Sequence, residues 1–411
     1  MLATKEMTAA DIKHPLNLNS WEFINNKLAY YKWFREEAPV YKGKIMVINA
    51  YFVSRYEDCV SVLKDPRFVR NRSTATGGRR LPIPLPKHVS LLAESMIIED
   101  EPNHRRLRNL VHKAFTPRAL QKLEGRIETM THELLDKAEE QGEVDLIEAY
   151  AHPIPVTVIA EMVGVKTEEV PEFAGYMKAI SSGMTGWSVF KTLFMDLPKS
   201  VKFCKALIER KRQNPQDDIL TALIQAEEDG EKLTEDELIS MVFLLIVAGH
   251  ETTVHLISNG VLTLLQHPEA LARLRAEPEL MDTAIEEIMR FNGPIHGTKP
   301  EYALEDVTMQ GVTIPKGSAV IPLLGAANFD PAVFDNPERF DITRSPNRHL
   351  GFGQGIHYCL GAPLARMETK IALTNLIERY PDMRLAVRPE TLQLQKLPGW
   401  HRYDSLPVIL R

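Results

Sequence analysis

FGQGIHYCLG, Phe352 to Gly361, sets one of only three cysteines in 411 residues among three glycines, directly ahead of a helix signal. Gly353 and Gly355 give the chain backbone angles that other residues resist, and they let it lie close to something flat or bulky. Gly361, Pro363 and the apolar Leu364, Met367 and Ile371 mark a helix start just beyond Cys359. A cysteine at that place feels the positive helix end and its free N–H groups, and both favour the thiolate.

A thiolate with N–H groups directed at it, in a turn shaped to approach a plane, suits a single axial ligand to haem iron. Three other readings compete on this stretch alone. A phosphate loop wants GxGxxG, and the register Gly353-Gln-Gly355-Ile-His-Tyr fails at the last glycine. A zinc site needs partners, and His357 by itself is not enough. A plain buried cysteine stays open.

Composition narrows the class. The balance of 44% hydrophobic and 25% charged residues is that of an ordinary globular chain, and the net charge of -6 argues against nucleic acid as the main partner. The opening MLATKEMTAADIKHPLNLNS has no apolar core, so neither a signal peptide nor a membrane anchor is expected. The unbroken apolar run Met241 to Gly249 is far shorter than the roughly 20 residues of a membrane span. Cys59, Cys204 and Cys359 are scattered, which suggests no disulfide framework and a reduced, cytoplasmic setting. No linker or repeat divides the chain, so one domain over residues 1–411 is expected, β-richer over about 1–70.

Along the chain, Leu28–Glu37 reads as helix and Ile45–Tyr56 as a hairpin around Asn49. Residues 73–95 read as irregular, and Asn103–Ile285 as mostly helical. TEDE, Thr234 to Glu237, fits a capping box that opens a helix running to Gln266, apolar all round in its middle and so expected in the core. Strands are expected within Val307–Leu324, then an irregular segment, a last helix near Pro363–Tyr380 and a terminal hairpin. The fold class is mainly α with small, separated β-sheets.

FGQGIHYCLG also resembles the F-G-x-G-x-H-x-C-x-G signature of the cytochrome P450 superfamily, the haem-thiolate monooxygenases. Four further stretches are similar to that family, in its order and spacing. AGHETT (Ala248 to Thr253) resembles its oxygen-activation motif, EIMR (Glu287 to Arg290) its E-x-x-R, PERF (Pro337 to Phe340) the segment completing that ion pair, and HRRLR (His104 to Arg108) its propionate-binding H-x-x-x-R. Together they imply the P450 fold, with a long central helix over the haem, and the bacterial class without an anchor.

The resemblance implies roles for single residues. Cys359 would ligate the iron of haem b (iron protoporphyrin IX), with Phe352 and Gly353 beside it. His104, Arg108 and His357 would hold propionates, while Ala248 and Gly249 leave room for the macrocycle. Thr252 would orient the oxygen to be protonated and Glu251 relay protons from solvent. Burying Glu251 would push its pKa up, and a Thr252 hydroxyl bonded to its own helix is the plain structural alternative. His250 has no implied part. Glu287, Arg290 and Arg339 would form a structural network that holds the cysteine turn. One departure stands out: Glu301 occupies a position where many members carry a propionate-binding arginine, and Lys299, on the same face of an extended strand, is the expected substitute.

The activity expected is insertion of one atom of dioxygen into an apolar small molecule. Electrons would come from a ferredoxin-type donor with an NAD(P)H-dependent reductase, docking on a basic face of Arg105, Arg106, Lys113 and Arg118; the protein would be a cytoplasmic monomer. A peroxide-driven peroxygenase and a non-catalytic haem protein are the alternatives, the first disfavoured by the Glu251-Thr252 pair. Substrate walls are expected in residues 80–98 and 173–195 (Phe173, Tyr176, Met184, Trp187, Phe190, Phe194), along Leu244–Ala248, and near Pro294–Thr298 and Leu397–Trp400, with core packing the competing explanation for each.

Overall fold

The capping box at Thr234 forms. The Glu237 N–H donates to Thr234 Oγ1 at 3.3 Å, and the Thr234 N–H donates to Glu237 Oε2 at 2.9 Å. These bonds satisfy donors that a helix start otherwise leaves without partners. The helix then runs Glu235–Gln266, 32 residues or about 48 Å. By length and composition it could cross a membrane, which the count of one unbroken apolar run did not anticipate; yet 56% of its most apolar window is buried inside the protein. Its hydrophobicity serves the core.

The computed structural model describes residue 12 and residues 16–45, 48–78, 95–115, 117–182, 191–228 and 230–411. These residues fall in two compact units. One is drawn from Met1–Gly78, Thr131–Ala151 and Val254–Arg411, the other from Arg79–Met130 and His152–Thr253. The long helix contributes to both, changing at Thr253.

The first unit holds a five-stranded sheet in the order Val40–Ile45, Ile48–Val53, Ala319–Pro322, Glu301–Ala303, Phe68–Val69. Its one parallel pairing joins Ile48–Val53 to Ala319–Pro322; the others are antiparallel. The first hairpin departs from expectation. Asn49 lies inside a strand opposite Lys44, and Tyr56 already begins the helix Tyr56–Lys64. The strand reads from Ala50-Tyr51-Phe52-Val53, four consecutive buried residues, so a turn at Asn49 would have split the buried run. The sheet packs on a core that includes Val53, Val62, Val320, Leu324 and Leu350.

The expected strands at Val307–Met309 and Val312–Ile314 form a hairpin closed by Gln310 and Gly311, both with positive φ (48° and 75°), as a tight primed turn requires. The terminal hairpin is partial: Leu394 bridges Tyr403, but Pro407–Ile409 pairs instead with Glu143–Asp145 and Arg384–Leu385. Residues 73–95 were expected to be irregular, yet Arg72–Thr76 is a short helix capped by Asn71; residues 79–94 lie outside the described set. Apart from the small hairpin Glu227–Glu228/Glu231–Lys232, helices build the second unit, among them Asn103–Ala114, Pro153–Met162 and Leu197–Gln213.

Candidate active site

Cys359 is half-buried, in a turn fixed by backbone hydrogen bonds. The Cys359 N–H donates to the Phe352 carbonyl at 2.9 Å, Gly353 N–H to Leu350 O at 2.8 Å, and Tyr358 N–H to Gly355 O at 3.1 Å. Gly353 and Gly355 both take positive φ, 70° and 72°. A Cβ on Gly355 would collide with the Leu63 carbonyl, so the turn presses on the end of the helix Tyr56–Lys64. At Gly353 a Cβ would meet nothing closer than His357 O at 3.9 Å, which leaves this flank open to a flat group. The helix Ala362–Arg379 follows, with Pro363 in its first turn. Among the described residues no cluster of three or more His, Cys, Asp or Glu surrounds a metal position.

The turn is clamped by charges that the sequence does not reveal. The Arg366 guanidinium stacks 4.3 Å over the buried Phe352 ring. It also donates to both Glu286 oxygens, at 2.6 and 2.8 Å, and His349 Nε2 lies 3.0 Å from the same carboxylate. Burial alone would raise the Glu286 carboxyl, but Arg366 and His349 outweigh it and hold the group at about 2.

Glu287 and Arg290 pair as expected, at 2.8 Å and fully buried. Arg290 also donates to the carbonyls of Asn328 (2.9 Å), Pro337 (2.8 Å) and Arg339 (3.3 Å). The third member needs correcting. Arg339 contributes only its carbonyl; its side chain lines a groove of about 870 Å³, with Lys32, Glu269 and Arg273, that contains none of the expected site residues. The second guanidinium on Glu287 is that of Arg344, at 3.1 Å, joined by Asn347 at 3.0 Å.

Glu301 does not stand in for the absent arginine. It is buried and accepts from Arg70 Nε at 2.5 Å. Lys299 is exposed, in a bend two residues ahead of the strand Glu301–Ala303. The segments Pro294–Thr298 and Leu397–Trp400 bind each other: the N–H groups of His296 and Gly297 both donate to Gly399 O, at 2.9 and 3.1 Å. Lys27, which the sequence gave no reason to single out, donates to the carbonyls of Leu397 (3.4 Å) and Trp400, and its burial lowers the ammonium to about 7.

In the second unit, His104 is buried and Arg108 partly exposed, one turn apart on Asn103–Ala114. The expected basic face on this helix is largely neutralised. Arg106 pairs with Glu237 and Glu231, and Arg105 with Glu101 at 3.1 Å; the Arg118 side chain lies outside the described set. Ala248 is exposed and Leu244, Leu245 and Val247 are partly so, which gives a core helix one open apolar strip. A Cβ on Gly249 would stand 3.0 Å from Ile159 Cδ1, so the glycine admits the helix Pro153–Met162. Thr252 Oγ1 donates to Ala248 O at 2.9 Å. Glu251 is 18% exposed, not fully buried, and lies 3.6 Å from His250 Nδ1. His250 is buried and meets the His152 ring edge-on, centroids 4.8 Å apart.

Two proposed wall residues are explained by packing and surface contacts. Phe173 is buried against Phe203 at 5.9 Å, and the Tyr176 hydroxyl donates to Glu172 at 2.7 Å. Phe194 is 58% exposed; Met184, Trp187 and Phe190 lie outside the described residues.

Comparison with known proteins decides the family. The family model "Cytochrome P450" matches residues 11–391.

The chain belongs to the cytochrome P450 family.

The polyketide biosynthesis cytochrome P450 PksS of Bacillus subtilis is 39% identical over 394 residues, 95% of this chain and 97% of that protein. Its solved structure matches with a TM-score of 0.90 over 96% of this chain and 99% of that one. The cytochrome P450 monooxygenase PikC of Streptomyces venezuelae is 36% identical, covering 94% and 92% of the two chains. A structure of P450BioI in complex with an acyl carrier protein ligated to hexadec-9Z-enoic acid matches with a TM-score of 0.87 at 38% identity, over 96% and 100%. The chain is thus an oxidoreductase, a P450 monooxygenase of a haem-binding family. The cysteine turn fits that group on its own chemistry: a thiol in a turn with no group of three or more His, Cys, Asp or Glu among the described residues, and a glycine flank that a Cβ would narrow.

Proposed function

We propose that this cytochrome P450 hydroxylates or epoxidises apolar, chain-like small molecules of the polyketide or fatty acyl kind, with Cys359 as the axial ligand of haem b. The carrying observation is the turn itself: a half-buried thiol, its N–H bonded to Phe352 O at 2.9 Å, beside one buried and one partly buried charge network. Bound haem would supply dioxygen activation, with the thiolate pushing electron density toward the O–O bond. In this reading His104, Arg108, His357 and Lys299 are propionate partners, Phe352 and Gly353 flank the cysteine, and Ala248 and Gly249 are small enough to admit the macrocycle. The open apolar strip at Leu244–Ala248 supports an apolar substrate, as do the named roles of PksS and the acyl chain in the P450BioI complex. One family match across residues 11–391 supports a single functional domain.

Proton handling falls to the Glu251-Thr252 pair. Glu251 reaches solvent and can recharge from it. The Thr252 hydroxyl spends its proton on Ala248 O, so it accepts freely and must turn from that carbonyl to donate. Electrons come from a separate ferredoxin-type protein and its NAD(P)H-dependent reductase; stand-alone relatives matched over nearly their full length support this. The same reading places a monomer in the cytoplasm.

Thr252→Ala is expected to bind substrate and consume NAD(P)H near the wild-type rate while releasing mostly hydrogen peroxide. Glu251→Gln should slow turnover itself by about tenfold or more, since proton delivery becomes limiting. The readout is product formed per NAD(P)H, with peroxide assayed alongside. Full coupling in the threonine variant would leave Thr252 a helix hydroxyl and nothing more. A wild type driven at full rate by peroxide alone would be a peroxygenase.

A further inference from the structure

We infer that Glu286 is a positioning residue for the Cys359 turn: one carboxylate holds both ends of the stretch Gly351–Cys359, through His349 at the entry and Arg366 at the exit. All these residues belong to the first unit, with Glu286 on the helix Met281–Asn292 and Arg366 on Ala362–Arg379. At the entry, the Gly351 N–H donates to His349 Nδ1 at 3.1 Å. A backbone N–H can only donate, so Nδ1 is an acceptor and the neutral ring carries its hydrogen on Nε2. Nε2 lies 3.0 Å from Glu286 Oε2, so the ring donates to the carboxylate. The His349 side chain is 3% exposed and is fixed at both nitrogens.

At the exit, Arg366 donates to both Glu286 oxygens, and its Nη1 donates to the Tyr358 hydroxyl at 3.3 Å, one residue ahead of Cys359. Between the two ends, the Phe352 ring meets both arms. The Arg366 guanidinium stands 4.3 Å from its centroid and the His349 ring 5.8 Å. The Phe352 carbonyl accepts the Cys359 N–H, so what fixes Phe352 fixes the cysteine backbone. A neighbouring rung shows what is special about Glu286. One turn earlier on its helix, Asp282 pairs with Lys370, one turn beyond Arg366, at 2.8 Å. That pair ties the same two helices, is 69% and 49% exposed, and has no hydrogen bond or ion pair to the turn among the described residues. The rung at Glu286 is less exposed, at 27% and 34%, and adds His349 and Tyr358.

The carboxylate also cancels the Arg366 charge beside the turn. Burial would raise the Glu286 carboxyl, but Arg366 and His349 outweigh it, so the group is ionised at working pH. Without that negative charge the guanidinium over Phe352 is left uncompensated, and a cation near a redox centre favours its reduced state. This electronic part rests on the haem-thiolate reading; the positioning does not. Four variants are compared with the wild-type holoenzyme: Glu286→Gln, Asp282→Asn, His349→Leu and His349→Asn. The first readout is hydrogen–deuterium exchange of the Gly351 amide, followed by mass spectrometry of fragments. The second is the midpoint potential of the ferric/ferrous couple. Asparagine at 349 still accepts the N–H two residues on, as in an Asx turn, and leucine does not.

Gly351 should exchange about tenfold faster in Glu286→Gln and His349→Leu, and within about threefold of wild type in His349→Asn and Asp282→Asn. Glu286→Gln should shift the reduction equilibrium about tenfold toward ferrous, a rise of about 59 mV for one electron, and Asp282→Asn less than about twofold. Wild-type exchange in Glu286→Gln and His349→Leu overturns the positioning role. Equal potential shifts in Glu286→Gln and Asp282→Asn overturn it too, since Glu286 would then act as one surface charge among others. If Glu286→Gln does not fold, the His349 pair decides: equal exchange in His349→Leu and His349→Asn overturns the assigned contact, and slower exchange in His349→Asn supports it. A wild type that takes up no haem would refute the haem-thiolate reading, and Gly351 exchange would still decide the positioning.

Discussion

Cys359→Ser is expected to abolish monooxygenase activity and erase the strongly red-shifted absorption that thiolate ligation gives the reduced carbon monoxide complex. The bonds that shape the turn are backbone bonds, from Cys359 N–H to Phe352 O and from Gly353 N–H to Leu350 O, so the variant keeps its fold. Serine fills nearly the same volume, but its hydroxyl stays protonated where a cysteine ionises. The push on the O–O bond disappears with the sulfur. Thermal stability of the haem-free protein should barely change. A variant that retained the red-shifted band would show that another residue binds the iron.

Arg290→Leu should have the largest effect on folding. The guanidinium is fully buried, binds both Glu287 oxygens and three carbonyls, and lies 5.3–5.7 Å from the rings of Phe291, Phe329 and Phe334. Leucine would leave those carbonyls buried without a donor and Glu287 short of a countercharge. Breaking such a pair costs about 3–5 kcal/mol, a large share of a domain's typical 5–15 kcal/mol. The expected result is poor soluble yield and a clearly lower urea midpoint. Arg273→Ala is the control: its pair with Glu277, at 3.0 Å, is about half exposed and should be worth under about 0.5 kcal/mol. Equal midpoints for the two variants would mean that the network does not hold the meander.

The contrast between those two arginines also explains what could be read from the sequence. Thr234 with Glu237, Glu287 with Arg290, and the glycines around Cys359 are local signals, within a turn of one another, and the structure shows each. Partners far apart in sequence were not legible. Arg344 reaches Glu287 from 57 residues away, Arg366 reaches Glu286 from 80, and Arg70 reaches Glu301 from 231. Nothing local distinguishes Arg344 from Arg339, because the choice depends on how the irregular meander folds back. At Gly249, likewise, nothing local names the packed neighbour, Ile159. The groups that brace the cysteine turn emerge from tertiary packing.

Turnover under oxygen-18 dioxygen tests monooxygenation most directly. The substrate is the polyketide or fatty acyl compound giving the largest spin-state shift of the ferric protein, and the electrons come through a surrogate ferredoxin and reductase. One oxygen-18 atom per hydroxylated product is expected, with the second appearing in water and one NAD(P)H consumed per product in the coupled enzyme. Product oxygen drawn from labelled water instead of labelled dioxygen would contradict monooxygenation by this chain.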